Sequence, residues 1–343
     1  MKEHLSDRGK QILEAIIEDY IVTAEPVGSR TITRRHPLSL SPATVRNVMA
    51  DLEEMGFLVS PHTSAGRIPT DKAYRFYVNS LLAVKNIGRD EQEEIVRRCS
   101  LAGKDIGEVL KETSRMLSAT SHYMGIVMAP RFDSNVFRHM EFVKLGSRRI
   151  LAILVSQNGT VQNRIIEADE DVSAADLTRM SNYLNELLQG LTIAQVRHRL
   201  IEEMQSEKAR YDLLLARALA LSSKTLDEED AQVFIEGQVN ILEQPEFADV
   251  GRMKDIFRTF EKKSAILELL DRAMAAEGVQ IFIGSESHLS EMPGMSLITS
   301  TYVTGQNTLG VLGVIGPTRM GYAKVIPIVD YTAKLVSRLL ELE

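Results

Sequence analysis

The 343-residue chain holds one cysteine, Cys99, and no tryptophan. A single thiol excludes an internal disulfide and fits a reducing compartment, so the expected setting is the cytoplasm. No apolar run approaches the ~20 residues that a membrane-spanning helix needs. The opening MKEHLSDRGK carries charge with no apolar segment behind it, and does not read as a secretion signal. The histidines (His4, His36, His62, His122, His139, His198 and His288) are scattered, without HExxH and without a partner beside Cys99. Only a fold that joined His122 to His139 would make a metal pair of them. Paired acids such as Glu53-Glu54 and Glu202-Glu203 read as solvated helix faces. Gly310, Gly313 and Gly316 lie in an apolar, strand-like run. A phosphate cradle needs glycine ahead of a helix N-terminus, so these read as close backbone packing. No catalytic residue, cofactor or metal is expected, and the chain does not read as an enzyme.

One further absence is local. No Asp or Glu occurs between Pro26 and Ala50, while Arg30, Arg34, Arg35 and Arg46 all fall there. Such a window suits a phosphate surface. The formal net charge is −7, but residues 1–89 carry 12 basic and 10 acidic residues against 28 and 37 in the remainder. Only the first domain is therefore expected to approach DNA; the acidic rest repels it.

The window ends in a helix with its own punctuation. Ser41 is placed to cap the first free N–H groups, Pro42 needs no donor at the next position, and Gly56 is a natural stop. Val45, Val48, Met49, Leu52 and Met55 make an apolar face at three- and four-residue spacing. Ala43, Arg46, Asn47 and Ala50 point the other way. That outward face is small and basic, with Arg and Asn to read guanine and adenine edges in a major groove. Phe57–Val59 and Arg67–Pro69 read as strands around the tip Pro61–Gly66, and Thr70-Asp71 opens a further helix. A helix-turn-helix followed by such a hairpin is a winged helix. Arg67, beside Gly66, is placed to approach a minor groove or the phosphate backbone. His62 at the tip is either a backbone contact or simply solvent-exposed. Helix-turn-helix folds also serve as protein-docking modules, and composition alone leaves that reading open. Tyr74, Phe76 and Tyr77 follow at helical spacing, which favours core packing over a stacking platform for single strands.

The remaining chain divides by period. Ser6 starts a first helix with the stripe Ile12, Leu13, Ile16, Ile17 and Tyr20, and Ser29 is expected to cap the second. Residues 89–104 read as a linker with a short charged helix, followed by an amphipathic helix through Val109, Leu110 and Leu117. Strands are expected over 123–129, 136–145, 149–156 and 160–168, the last two around Asn158-Gly159. Ser173 and Asp176 form a capping box. Helix signals dominate from Thr192 to Gly278. Strands resume at 279–283, 296–303 and 308–315, and a helix started or kinked at Pro327 closes the chain. Strands on both sides of a helical block suggest an α/β domain interrupted by an insertion.

SPATVRNVMADLEEMGFLVSPHTSAGRIPTDKAYRFYVN, from Ser41 to Asn79, resembles the DNA-binding domain of the HrcA family of heat-inducible transcription repressors. TLGVLGVIGPTRMGYAKVIPIVDYTAKLV, from Thr308 to Val336, is similar to the family's late segment. The blocks lie near opposite ends, so the resemblance covers the whole chain. It implies a repressor of heat-shock chaperone operons that binds an inverted-repeat operator (CIRCE) in double-stranded DNA as a homodimer, with its activity promoted by the chaperonin. It implies an α+β multidomain fold: a winged helix-turn-helix over 1–88, the linker at 89–104, a GAF-like α/β domain over 105–195 and 276–343, and a mainly helical dimerisation insertion over 196–275. DNA contacts are expected from Arg30, Arg34, Arg35, Ser41, Ala43, Thr44, Arg46, Asn47, His62, Ser64, Gly66 and Arg67. Arg319 and Tyr322 would line a pocket or a dimer seam, between which the sequence does not choose. The alternative is a metabolite-sensing winged-helix regulator with its ligand in the GAF-like domain.

Overall fold

The computed structural model describes residues 5–62, 66–84, 87–100, 106–130, 136–157, 161–205, 213–226, 232–247, 251, 263–276, 278–287, 294–304 and 307–341. Contacts divide the α+β chain into two compact units, 1–129 with 233–343, and 130–232.

The first unit opens with α1 (Asp7–Thr23), α2 (Ser29–Arg35) and α3 (Pro42–Glu54). Ser6 caps α1 by accepting from the Gly9 N–H. Gly28, not Ser29, is the cap residue of α2, and no side chain bonds there. Gly56, at φ +77°, ends α3: its N–H reaches Glu53 O, and that of Phe57 reaches Leu52 O. This is the Schellman arrangement, which needs a left-handed residue at that point. The wing strands β1 (Leu58–Val59) and β2 (Ile68–Pro69) pair antiparallel, Leu58 with Pro69 and Val59 with Ile68. Thr70 caps α4 (Asp71–Phe76), which runs on as a π turn to Leu81. Tyr74 and Tyr77 are core residues, and Phe76 meets Phe57 edge-on at 5.5 Å.

The presumed linker is helix α5 (Arg89–Ser100), with Ile95 and Cys99 in the core. A spacer would leave both in water. Burial pushes the Cys99 thiol up to about 11. Next come α6 (Ile106–Ser121) and β3 (Met124–Met128). After the second unit the chain returns as β7 (Val233–Glu236), α10 (Gln238–Leu242), α11 (Lys263–Met274), β8 (Val279–Phe282), β9 (Met295–Thr304), β10 (Asn307–Pro317) and α12 (Tyr322–Glu341), which carries Pro327 inside. The sheet order is β7-β3-β10-β9-β8, and every neighbour is antiparallel. Both faces of the sheet are covered, which explains why β3 is apolar without alternation. Val127, Ile298, Leu312 and Val314 face α6 and α12; Met124, Ile126, Leu297 and Val311 face α11. A Cβ on Gly313 would lie 2.3 Å from Ile298 O, and one on Gly310 would lie 2.5 Å from Met128 O. The strand glycines therefore do serve close packing.

The second unit holds β4 (Phe137–Lys144), β5 (Arg149–Ser156), β6 (Val161–Glu167), α7 (Ala174–Leu188), α8 (Ile193–Gln205) and α9 (Leu213–Leu226). Its sheet is an antiparallel meander. One face, with Phe137, Met140, Phe142, Ile150 and Leu154, packs on Leu177, Met180, Leu184 and Leu219. Asn185 of α7 seals the outer edge of β4, accepting from Met140 N–H at 2.7 Å and donating to Met140 O at 3.0 Å. A sheet edge buried without such partners would cost about 1–3 kcal/mol per group. The cross-strand rows of the other face are Val143–Leu151–Ile165, Glu141–Ile153–Asn163 and His139–Val155–Val161. Val161 and Ile165 there are 56% and 54% exposed.

The contact division departs from the boundaries expected over 105–195, 196–275 and 276–343. The hairpin and capped helix at 137–188 lie in the second unit, while 233–275 belongs to the first. The short strand β7, unforeseen in a stretch rich in helix signals, pairs with β3 and returns the chain to the larger sheet. The hairpin turn Asn158-Gly159 and residues 252–262 of the stretch with helix signals lie outside the described residues.

Candidate nucleic-acid interface

α2 and α3 present the acid-free window. Ile32, Val45, Met49 and Leu52 anchor the two helices in the core. This anchoring turns Ala43, Arg46, Asn47 and Ala50 outward, and all four are exposed. Ser41 accepts from Thr44 N–H at 3.1 Å and shares a 2.9 Å hydroxyl contact with the Thr44 side chain. The cap therefore occupies both residues: Ser41 fixes the helix start, and Thr44 is half-buried against it. Arg30 and Arg34 of α2 are exposed, and among the described residues no carboxylate pairs with them or with Arg46. Arg35 differs. Its Nη1 lies 3.4 Å from Asp19 Oδ1, tying α2 to α1, and His36 approaches the same oxygen at 3.3 Å.

The wing is held from inside. Val27 and Arg67 exchange backbone hydrogen bonds, both 2.9 Å, which dock β2 on the turn before α2. A Cβ on Gly66 would sit 2.6 Å from Val27 O and 2.7 Å from the Pro26 carbonyl carbon. The close approach that requires glycine here is to the protein's own backbone. The Arg67 guanidinium is equally engaged: Nε and Nη2 meet Glu53 Oε2, each at 2.8 Å, and Nη1 donates to Ser60 Oγ at 3.1 Å. Arg67 was expected to reach DNA; in the structure its fork points to α3. Ser60 Oγ in turn donates to His62 O at 2.8 Å, leaving the His62 side chain exposed. Ser64 lies outside the described residues. Glu53 and Ser60 were missed as members of this site. The only sequence signal was an acid in the last turn of a helix that has no basic residue there.

Arg319 and Tyr322 lie elsewhere in the first unit, and both are buried. Arg319 forks onto Glu246, with Nη2–Oε2 at 3.1 Å, and also meets Gln244 Oε1 and Ile21 O, each at 3.0 Å. Tyr322 donates to Thr318 O at 2.8 Å and stands 6.0 Å from the Tyr74 ring. Burial pushes both phenols up, so each stays a neutral O–H. Further along α4, Arg75 forks onto Glu286 and donates to Ile281 O at 2.6 Å. Asp71 accepts from Ser285 N–H at 2.9 Å. Burial alone would raise the Glu286 carboxyl; Arg75 and the Ile283 N–H outweigh it and hold the group below its ordinary range. These residues form an intramolecular seam that joins the winged helix to the five-stranded sheet.

Among the described residues no helix is long and apolar enough to cross a membrane, and no cluster of three or more His, Cys, Asp or Glu could hold a metal.

Residues 4–81 match the family model of the winged helix-turn-helix transcription repressor HrcA DNA-binding domain, and residues 107–326 match that of the HrcA C-terminal domain. The heat-inducible transcription repressor HrcA of Geobacter sulfurreducens is 71% identical, over 98% of each chain. The protein of the same name from Syntrophobacter fumaroxidans is 46% identical, also over 98% of each. A crystal structure of a hypothetical protein superposes over 99% of both chains with a TM-score of 0.62 at 20% identity, a likeness of fold.

Proposed function

The chain belongs to the HrcA family of heat-inducible transcription repressors, and from that premise we propose that it represses heat-shock chaperone operons by binding an inverted-repeat operator as a homodimer. The observation that carries this reading is α3: a capped helix with an exposed face of Ala43, Arg46, Asn47 and Ala50, in a window free of acids. Small residues let the helix backbone sit close to base edges, and Arg and Asn supply the paired donors and acceptors that distinguish guanine and adenine. Arg30 and Arg34 are suited to phosphates. His62, the expected contact Ser64, and Arg35 once released from Asp19 complete the contact set. Repression is steric, and the working compartment is the cytoplasm.

The experiment is fluorescence anisotropy of the full chain with a fluorescent inverted-repeat duplex and a scrambled one of equal length, at about 150 mM salt, where phosphate contacts alone bind weakly. A preference of about a thousandfold or more is expected. Equal weak binding to both duplexes by folded protein would sink the reading.

Homodimerisation is supported by the open face of the second unit. Leu151, Ile153 and Val155 of the central strand are flanked there by Val143, Val161 and Ile165. An apolar stripe of this kind along the central strand, with Glu141, Asn163 and His139 on its flanks, marks an interaction surface, and two-fold pairing of recognition helices matches two half-sites. On this reading the sheet, and not 196–275 alone, carries the dimer contact. Ile153→Asp is expected to shift the protein from dimer to monomer by analytical ultracentrifugation while its helical circular dichroism stays intact. A variant that remains fully dimeric at micromolar concentration would exclude this face.

The chaperonin as activating partner rests on the family resemblance alone. It predicts that operator binding after mild heating recovers only with chaperonin present. Equal binding with and without it at all temperatures would refute the link.

A further inference from the structure

We propose that Glu53 and Arg67 form a positioning clamp that sets the wing against the recognition helix, so that Arg67 serves operator recognition through the placement of the wing and not by touching DNA. The inference rests on the DNA-binding reading above and adds a role for a pair outside the exposed face.

Three observations lead to it. The first is geometric. Arg67 joins three segments at one point: its guanidinium holds Glu53 in the last turn of α3, its Nη1 holds Ser60 at the end of β1, and its backbone holds Val27 ahead of α2. An arginine fork fixes angle as well as distance, because its donors lie in one rigid plane. The pair is partly shielded, with side-chain exposures of 26% and 33%, so solvent weakens it less than a surface pair.

The second is electrostatic. Glu53 sits where the α3 dipole is negative, and the last turn of α3 contains no basic residue. An acid is unfavourable at that end unless a cation is brought to it. Arg67 supplies a cation to the carboxylate from 14 positions away, beside Lys72, whose Nζ donates to the C-cap carbonyl of Met55 at 2.8 Å. An arginine released to a phosphate would leave this carboxylate against the dipole.

The third is steric. Gly66 permits the tight docking of β2 on Val27, which pins the backbone of Arg67.

The clamp makes a prediction of unusual sign. Removing an acid from a DNA-binding surface strengthens binding when only Coulomb attraction matters. If Glu53 positions the wing, its removal weakens operator binding instead. The test titrates the full-length wild type, Glu53→Gln, Arg67→Lys, Arg67→Ala and the exchanged pair Glu53→Arg with Arg67→Glu against operator and scrambled duplexes over a range of salt. Melting by circular dichroism checks the fold. Glu53→Gln is expected to lose operator affinity about tenfold, with an unchanged salt slope and undiminished binding to the scrambled duplex. Arg67→Lys keeps the charge but not the fork, and is expected to lose as much. The exchanged pair recovers most of the loss.

The proposal is overturned if Glu53→Gln binds the operator as tightly as wild type while Arg67→Ala lowers the salt slope by about one, the signature of a lost phosphate contact. If the wild type shows no operator preference, the DNA reading has failed, and the clamp is judged separately by hydrogen exchange. Faster exchange of the Val27 and Arg67 amides in Glu53→Gln supports it; unchanged protection overturns it.

Discussion

Arg46→Ala and Asn47→Ala each lower operator affinity about ten- to a hundredfold, leaving scrambled-duplex binding and the melting temperature nearly unchanged. Each side chain is exposed and makes no hydrogen bond or ion pair among the described residues, so truncation costs the fold little. A bidentate base contact is worth about 1–3 kcal/mol of discrimination. Anisotropy titration of both variants against both duplexes checks this. Arg30→Ala and Arg34→Ala provide the contrast: each weakens binding to both duplexes alike and reduces the salt slope by about one. Equal losses on operator and scrambled DNA for Arg46→Ala and Asn47→Ala would make α3 a phosphate-binding helix and transfer the reading of sequence to another part of the surface. The two classes of arginine are separable by sequence dependence, not by size of effect.

The face of α3 was legible because its determinants are local. Ser41, Pro42 and Gly56 act within one turn of themselves, and the apolar spacing from Val45 to Leu52 fixes which residues point outward. The role of Arg67 was not legible. A basic residue at a wing suggests a phosphate, and no period or motif reveals that its partner is Glu53. Arg319 was harder still, since Ile21 lies 298 positions away. The helix at α5 was legible, and its core packing could have been read too: Ile95 and Cys99 stand four apart in a mostly charged stretch, one turn of a buried face. Strand β7 could not. Four residues carry too little alternation, and what makes them a strand is the free edge of β3, a property of the folded sheet. The unit boundary at 232 follows from that pairing, and the one at 130 from β4–β6 forming a sheet of their own.

A common device underlies the unforeseen contacts. Neither α1 nor α3 has a basic residue in its last turn, and in both cases distant side chains supply the positive charge, Arg67 with Lys72 for α3. For α1 this is Arg319, whose Nη1 reaches Ile21 O, one of the last carbonyls without a helical partner. The same guanidinium holds Glu246 and Gln244, so one side chain joins the winged helix to the segment after β7. Arg319→Ala is expected to destabilise the protein by about 3 kcal/mol, the loss typical of removing one partner of a buried ion pair and leaving the other charge behind. The side chain is 10% exposed and that of Glu246 is 25% exposed, so screening does not remove the effect. Arg319→Lys recovers only part, because an ammonium cannot fork onto a carboxylate and reach the α1 carbonyl together. Tyr74→Phe is the control in the same seam. The Tyr74 hydroxyl is buried with no hydrogen-bond partner among the described residues, so its removal costs nothing or stabilises slightly. Urea titration followed by circular dichroism measures all three, since the chain has no tryptophan to report by fluorescence. A loss below about 1 kcal/mol for Arg319→Ala would place its contacts with surface ion pairs. The attachment of the winged helix would then rest on the apolar packing around Tyr74 and Tyr322 and on the Asp71 and Arg75 contacts.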